Sequence, residues 1–252
     1  MFETVLWTMM VLGVVVFVSL YFVDAGYGKM ISPKWGPTVP NRLGWMLMEC
    51  PVFFIVFDLC VNSEVKTSLP YLLFLLLFEF HYFYRSFLFP LRLSGRSRMP
   101  LAIVAMSICF NLINGYIQGW WLFRISPEAG YYTSTWIFSP QFIIGTAVFF
   151  SGMIINRQSD QIVRNLRAPG DTRQYFPRGG FYNYVTSANY FGEILEWFGW
   201  AILTWSMAGF VFFWFTCANL VPRANSIWHK YAQEFPEEFA QAKPKRIIPF
   251  IY

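Results

Sequence analysis

Several ionisable side chains of this 252-residue chain stand inside long apolar runs. Glu49 and Asp58 share one run, Glu79, His81, Tyr82, Tyr84 and Arg85 the next, and Glu193 and Glu196 a later one. An ionisable group at the centre of a membrane helix costs about 2.5 to 3.5 kcal/mol on insertion scales, so each calls for a partner or a chemical task. For Asp58, Glu79 and Arg85, a buried hydrogen bond or an ion pair between helices stands beside a chemical role as an equal alternative. Glu49 differs. It sits one turn into its run beside Pro51, with no basic residue in that run, a setting that favours a protonated carboxyl able to donate a hydrogen bond.

A second group of polar residues is spaced for one helix face. Asn156, Asp160, Arg164 and Arg167 recur at i, i+4, i+8 and i+11. Alone, the pattern fits a solvated helix end with an Asp–Arg pair. Asn189, Glu193 and Glu196 repeat the device further on, and the stretch between supplies Arg173, Tyr175, Arg178 and the pair Gly179–Gly180. Arginines, amides and carboxylates together suit a ligand that carries phosphates, ribose hydroxyls and an amide. GxGxxG, GxxxxGK[ST], GxSxG and HExxH are all absent, so a nucleotide here would use neither a Rossmann nor a P-loop scaffold. Cys50, Cys60, Cys109 and Cys217 lie in apolar runs without a CxxC pair or a neighbouring base, which argues against a disulfide framework, a zinc site and covalent catalysis. With only His81 and His229 besides, no metal site is expected.

The elements that must position these groups follow from composition. Apolar residues make up 56% of the chain, aromatic residues 21% and charged residues only 13%, about half the charged fraction of an average soluble domain. Apolar runs at 5–23, 43–61, 69–91, 101–122, 136–155, 182–198 and 200–221 are each long enough to cross a hydrocarbon core of about 30 Å. The expected fold is therefore all-α: a polytopic membrane protein of about seven transmembrane helices. The first run lacks a basic n-region and is read as a mature helix, not a signal peptide. The 182–198 run is the most polar, and its polar face must look into protein or water.

Basic residues give the orientation. The first, third and fifth loops and the C-terminal tail hold 16 of the 19 Lys and Arg residues, the opposite side holds two, and Arg85 falls within a span. Positive charge collects on the cytoplasmic side, so the N-terminus is expected outside or in the lumen and the C-terminus in the cytoplasm. The stretches 156–181 and 222–252 carry ten of the basic residues, which puts any anionic cofactor on the cytoplasmic side. The net charge of +5 is thus a topology signal; no exposed aromatic platform interleaves the cations, and nucleic acid binding is not expected. No linker, composition shift or internal repeat divides the chain, so residues 1–252 read as a single domain.

The chain also resembles a known family, the steroid 5α-reductases, which are NADPH-dependent membrane enone reductases. The likeness rests on GYGK at 26–29, WMLMECP at 45–51, HYFYRSF at 81–87, NGYIQGWW at 114–121, NRQSDQIVRNLRAPG at 156–170, PRGGFYNYVTSANYFGEILEW at 177–197 and the terminal IPFIY. The resemblance implies a seven-helix reductase whose catalytic pair corresponds to Glu49 and Tyr82. It implies NADPH in the cytoplasmic half, contacted by Asn156, Asp160, Arg167, Tyr175, Asn189 and Glu193, with Tyr27, Arg96, Arg223 and Tyr231 closing around it. One departure is that the animal enzymes tend to carry a histidine-rich stretch after the arginine matched by Arg223, where this chain reads ANSIWHKY with the single His229.

The function these readings favour is reduction of the C4–C5 double bond of a 3-oxo-Δ4-steroid, or a similar lipid enone, by NADPH. An S-adenosylmethionine-dependent methyltransferase of the isoprenylcysteine carboxyl type is the alternative enzyme, although a cofactor without a 2'-phosphate would not need so many arginines. A transporter that uses Glu49, Glu193 and Glu196 as a proton relay is a further alternative, opposed by the lack of a repeated half. The expected partners are a lipophilic substrate and the lipid bilayer, of the bacterial inner membrane or the endoplasmic reticulum, with no obligate protein partner. A cysteine placed in the C-terminal tail should resist impermeant labelling from outside sealed cells, whereas one at the N-terminus should react; the opposite pattern would overturn the orientation.

Overall fold

In a computed structural model the protein is described for all residues except 24–34, 94–96, 167, 169–170 and 172. Its helices are α1 (Phe2–Ser19), α2 (Asn41–Val61), α3 (Leu69–Phe83), α4 (Phe89–Arg92), α5 (Leu101–Trp120), α6 (Ser126–Glu128), α7 (Pro140–Asn165), α8 (Ala188–Thr204), α9 (Met207–Glu234) and α10 (Pro236–Ala242). The short strands β1 (Thr38–Pro40) and β2 (Arg98–Pro100) pair antiparallel with Val39 opposite Met99. A π-helical turn, Tyr84–Leu88, joins α3 to α4, and another, Trp121–Ile125, joins α5 to α6. Among the described residues, five helical stretches are long and apolar enough to cross a membrane: Phe2–Ser19, Asn41–Val61, Leu69–Arg92, Leu101–Glu128 and Met207–Glu234.

The chain forms two compact units, Met1–Val5 with Ala25–Ile143 and Leu6–Asp24 with Ile144–Tyr252. In the first, α2 and α5 run parallel, with Asn111 against Met48, Gly115 against Val52 and Gly119 against Leu59. They stay close because α5 carries Gly115 and Gly119: a Cβ on Gly115 would meet the Val52 Cα and the Ile55 side chain, and one on Gly119 would meet the Leu59 side chain. A small-xxx-small pair is the means by which helices in lipid bring their backbones together, since lipid removes the hydrophobic drive for association. Pro51 lies inside α2, where its missing N–H interrupts the helical ladder.

In the second unit α7 and α8 cross antiparallel, again through glycine. A Cβ on Gly152 would strike main-chain atoms of Glu196 and Gly192, and one on Gly192 would strike the main chain of Asn156 and Gly152. The fully buried Trp197 and Trp200 of α8 form the centre of this core, and Trp197 packs on Phe212 of α9 with ring centroids 4.1 Å apart. The α1 helix leans on α9, where the Trp214 indole N–H donates to the Met10 carbonyl at 3.2 Å.

Where the last three spans are expected the helices have other bounds, and α7 and α8 are not among the five stretches. The fifth begins at Pro140 and runs ten residues beyond 155, because its polar end is used inside the protein. The sixth starts at Ala188: Gly179 and Gly180 have φ of 93° and 53°, and a tight turn over Gly180–Asn183 precludes a helix at 182. The next helix starts at Met207, after Trp205 in the left-handed region and Ser206, whose hydroxyl caps the new helix by accepting from the Gly209 N–H at 3.0 Å.

Gly192→Ala tests the crossing. Alanine has the better helix propensity, yet its methyl group must displace main chain, so stability should fall by on the order of 1–3 kcal/mol, read as a lower thermal transition temperature in detergent. An unchanged or raised transition would mean that the two backbones are not in contact there.

Candidate functional site

Each unit holds a polar network that joins its helices. In the first, α5 presents Asn111, Asn114 and Gln118, all at least 96% buried, at i, i+3 and i+7 on one face. The Asn111 side-chain amide donates to the Met48 carbonyl at 2.6 Å and lies 3.5 Å from Glu49 Oε2. Asn114 donates to the Tyr82 hydroxyl at 3.3 Å, and Gln118 donates to Asn114 Oδ1 at 3.4 Å. One helix therefore holds both Glu49 of α2, which is half-buried, and Tyr82 of α3, which is buried. The Tyr82 ring packs against Phe78 at 4.8 Å and His81 at 5.1 Å. The π-helical turn follows directly, and such turns are frequent at functional sites. Within it, the buried Arg85 lays its guanidinium over the rings of Trp45 and Phe89, 4.5 and 4.8 Å away.

The second network joins α7 to α8. Asn156 donates to the Asn189 carbonyl at 2.9 Å and lies 3.5 Å from Glu193 Oε2, while Asn189 donates to Asp160 Oδ1 at 3.1 Å. The hydroxyl of the buried Tyr182 donates to Asn189 Oδ1 at 3.3 Å. Ser187, buried just before α8, has a hydroxyl with no hydrogen-bond partner among the described residues. Arg223 of α9 lies over the Tyr190 ring at 5.4 Å and donates to Asn219 Oδ1 at 3.5 Å. Two amides, two carboxylates, a spare hydroxyl and an aromatic-stacked guanidinium offer donors and acceptors for an amide and for hydroxyls, with a cation nearby for an anionic group. These residues fit a nucleotide that ends in a carboxamide.

The structure thus brings together Asn156, Asp160, Asn189 and Glu193. Tyr175 donates to Asp171 Oδ2, and Asp171 is paired with Arg173 at 2.9 Å. The hydrogen bonds from Arg173 and then from Tyr175 hold the Asp171 carboxyl well below the usual carboxylate range, so the tie persists through neutral pH. Tyr231 is buried, its ring 5.6 Å from Phe176. Tyr27, Arg96 and Arg167 lie outside the described residues. Sequence reasoning missed Asn111, and it gave no role to Asn114 or Gln118 in the quoted NGYIQGWW segment or to Tyr182 and Ser187 in the quoted 177–197 segment. The available signal was three amides on one face of an apolar run.

The chain is similar to known proteins over most of its length. Residues 97–252 match the family model for 3-oxo-5-alpha-steroid 4-dehydrogenase. A steroid 5-alpha-reductase DET2 from Gossypium hirsutum is 38% identical, covering 100% of this chain and 98% of its own. The protein of that name from Arabidopsis thaliana is 39% identical over 93% of this chain and 90% of its own. The Homo sapiens 3-oxo-5-alpha-steroid 4-dehydrogenase 1 is 37% identical over 95% and 91%. The class is an oxidoreductase acting on a CH–CH bond, built from apolar helices of the kind found in integral membrane proteins. Within that class, the chain belongs to the 3-oxo-5-alpha-steroid 4-dehydrogenase family. The methyltransferase and transporter readings find no support in these relationships.

Asn189→Asp removes the donor to Asp160 and sets a second carboxylate against it. The unfolding transition should fall by about 1–3 kcal/mol, the cost of an unsatisfied buried polar group. An unaltered transition would show that Asn189 does not hold the network together.

Proposed function

We propose that this protein reduces the C4–C5 double bond of a 3-oxo-Δ4-steroid, or of a similar lipid enone, at the expense of NADPH. What carries the reading is that α5 holds the Glu49 carboxyl and the Tyr82 hydroxyl through two asparagines three residues apart, in a chain whose relatives are named for steroid 5α-reduction. The whole of residues 1–252 then works as one seven-span reductase domain in a membrane. Its N-terminus lies outside or in the lumen and its C-terminus in the cytoplasm, as the basic loops favour.

NADPH, when bound, supplies hydride for the β-carbon of the enone. Negative charge then spreads through the former double bond to the carbonyl oxygen, and in a water-poor pocket that oxygen needs donors aimed at it beforehand. Tyr82 accepts from Asn114 through its hydroxyl oxygen, and in the proposed reaction its O–H donates to the carbonyl oxygen. Glu49, as the neutral acid, donates to the same oxygen, and Asn111 fixes its side chain. A proton taken up at the α-carbon completes the addition of two hydrogens across the bond. Asn189 and Glu193 would hold the carboxamide end of NADPH, and Asn156, Asp160, Tyr175 and Tyr231 would be further contacts to it. By the resemblance, Tyr27, Arg96, Arg167 and Arg223 would be further cofactor contacts, and the three arginines would favour NADPH over NADH through its 2'-phosphate.

Tyr82→Phe deletes one donor with little change of shape. NADPH-dependent steroid reduction by the purified variant should fall about 10²- to 10³-fold with NADPH binding retained. Turnover within about threefold of the parent for both Tyr82→Phe and Glu49→Gln would refute the donor pair, since one lost oxyanion donor costs far more than that.

A further inference from the structure

The end of the chain is pinned by bonds that neither the proposed reaction nor the helix crossings require. Lys245 and Arg246 run alongside residues 184–187, with a parallel bridge between Val185 and Lys245. The Lys245 N–H donates to the Tyr184 carbonyl at 2.8 Å; the carbonyls of Lys245 and Arg246 accept from the N–H groups of Thr186 and Ser187 at 2.9 and 3.2 Å. The Thr186 hydroxyl adds a bond to the Arg246 carbonyl at 3.1 Å. The Arg246 side chain in turn is held by α9: its Nε donates to Asn225 Oδ1 at 2.7 Å, and its guanidinium lies over the Trp228 ring at 4.5 Å and the Tyr252 ring at 4.9 Å. The Trp228 indole N–H closes the frame on the Pro244 carbonyl at 2.9 Å.

The chain of contacts therefore runs from α9 through the Arg246 side chain to its carbonyl, and from there to Thr186 and Ser187. One residue later α8 begins, and Asn189 stands in its first turn. Ser187, at the helix N-cap position, makes no side-chain capping bond, so the main-chain bonds to residues 245 and 246 are what fix the entry to α8. Asn189 meets Asp160 at 3.1 Å and Asn156 at 2.9 Å, contacts that a shift of about 1 Å at the helix start would break.

We infer that Arg246 is a positioning residue for NADPH: by holding residues 184–187 it sets where α8 starts and so keeps Asn189 in register with Asp160 and Asn156. The inference rests on the reading of that network as the cofactor site. A positioning role differs from a general stabilising one in its selectivity, because it should affect the cofactor and spare the steroid.

The test uses the full-length protein purified in detergent, with NADPH affinity followed by tryptophan fluorescence, amide exchange at Thr186 and Ser187, and the steroid KM. In Arg246→Ala, NADPH binding should weaken about tenfold, the scale of a lost hydrogen bond to a charged group, with the steroid KM within about twofold of the parent. Exchange at Thr186 and Ser187 should accelerate in the same variant. Arg246→Lys retains a donor for Asn225 and a cation between the two rings, and should recover NADPH affinity to within about threefold of the parent. Unchanged NADPH affinity in Arg246→Ala, beside a loss in Asn189→Ala, would overturn the inference and leave the cofactor reading standing. No loss in either variant would overturn both. A parallel loss of steroid and NADPH affinity would mark Arg246 as merely structural and overturn the inference as well. Should Arg246→Ala not fold, Asn225→Ala, which removes only the acceptor, must still weaken NADPH binding about threefold or more with the steroid KM unchanged; failing that, the inference is wrong.

Discussion

Close approach of helix backbones is the constraint on which the polar chemistry of this protein depends. Asparagine has a short side chain. For Asn111 to reach the Met48 carbonyl at 2.6 Å, α5 must lie almost against α2, and Gly115 and Gly119 permit this by presenting no Cβ to Val52 and Leu59. The same device recurs between α7 and α8, where Gly152 and Gly192 let the main chains touch so that Asn156 bonds the Asn189 carbonyl. Larger residues at these positions would separate the helices and strand every amide in both networks.

Buried amides serve this setting better than charges. An interhelical polar contact in a membrane contributes about 0.6 to 2 kcal/mol, whereas a lone ion in the span costs more than that. Asparagine and glutamine donate and accept without carrying charge, so they can orient Glu49 and Tyr82 without forcing either group to ionise. The one arginine buried in the α3–α4 span is surrounded differently, with aromatic faces of Trp45 and Phe89 in place of water. The second unit keeps its carboxylates, Asp160 and Glu193, beside the side-chain amides of Asn189 and Asn156.

Much of this was legible in the residue order. The apolar runs marked the first four spans to within a few residues, because a membrane helix is a composition signal and α2, α3 and α5 are apolar almost throughout. The 156/160 and 189/193 spacings identified one face on each of two helices, and those faces meet. Helix boundaries after residue 136 were not legible: Trp205 in a left-handed conformation and the main-chain bonds of Thr186 and Ser187 to residues 245 and 246 are tertiary facts that no local pattern encodes. Nor were the partners of Glu49 and Tyr82. Asn111 and Asn114 gain their roles only from the packing of α5 beside α2 and α3. The pairing of Arg246 with Asn225 and Trp228 lies in the same category, since a terminal arginine reads as one more cytoplasmic charge.

The most direct measurement is the fate of the transferred hydrogen. Purified protein would be given a 3-oxo-Δ4-steroid and NADPH deuterated at the reactive C4 position of the nicotinamide, and the product's deuterium located by NMR. The account predicts a 5α-reduced product with a single deuterium on the former β-carbon and none on the α-carbon. Deuterium at the α-carbon, a reduced product without deuterium, or no steroid reduction by protein that binds NADPH would contradict it.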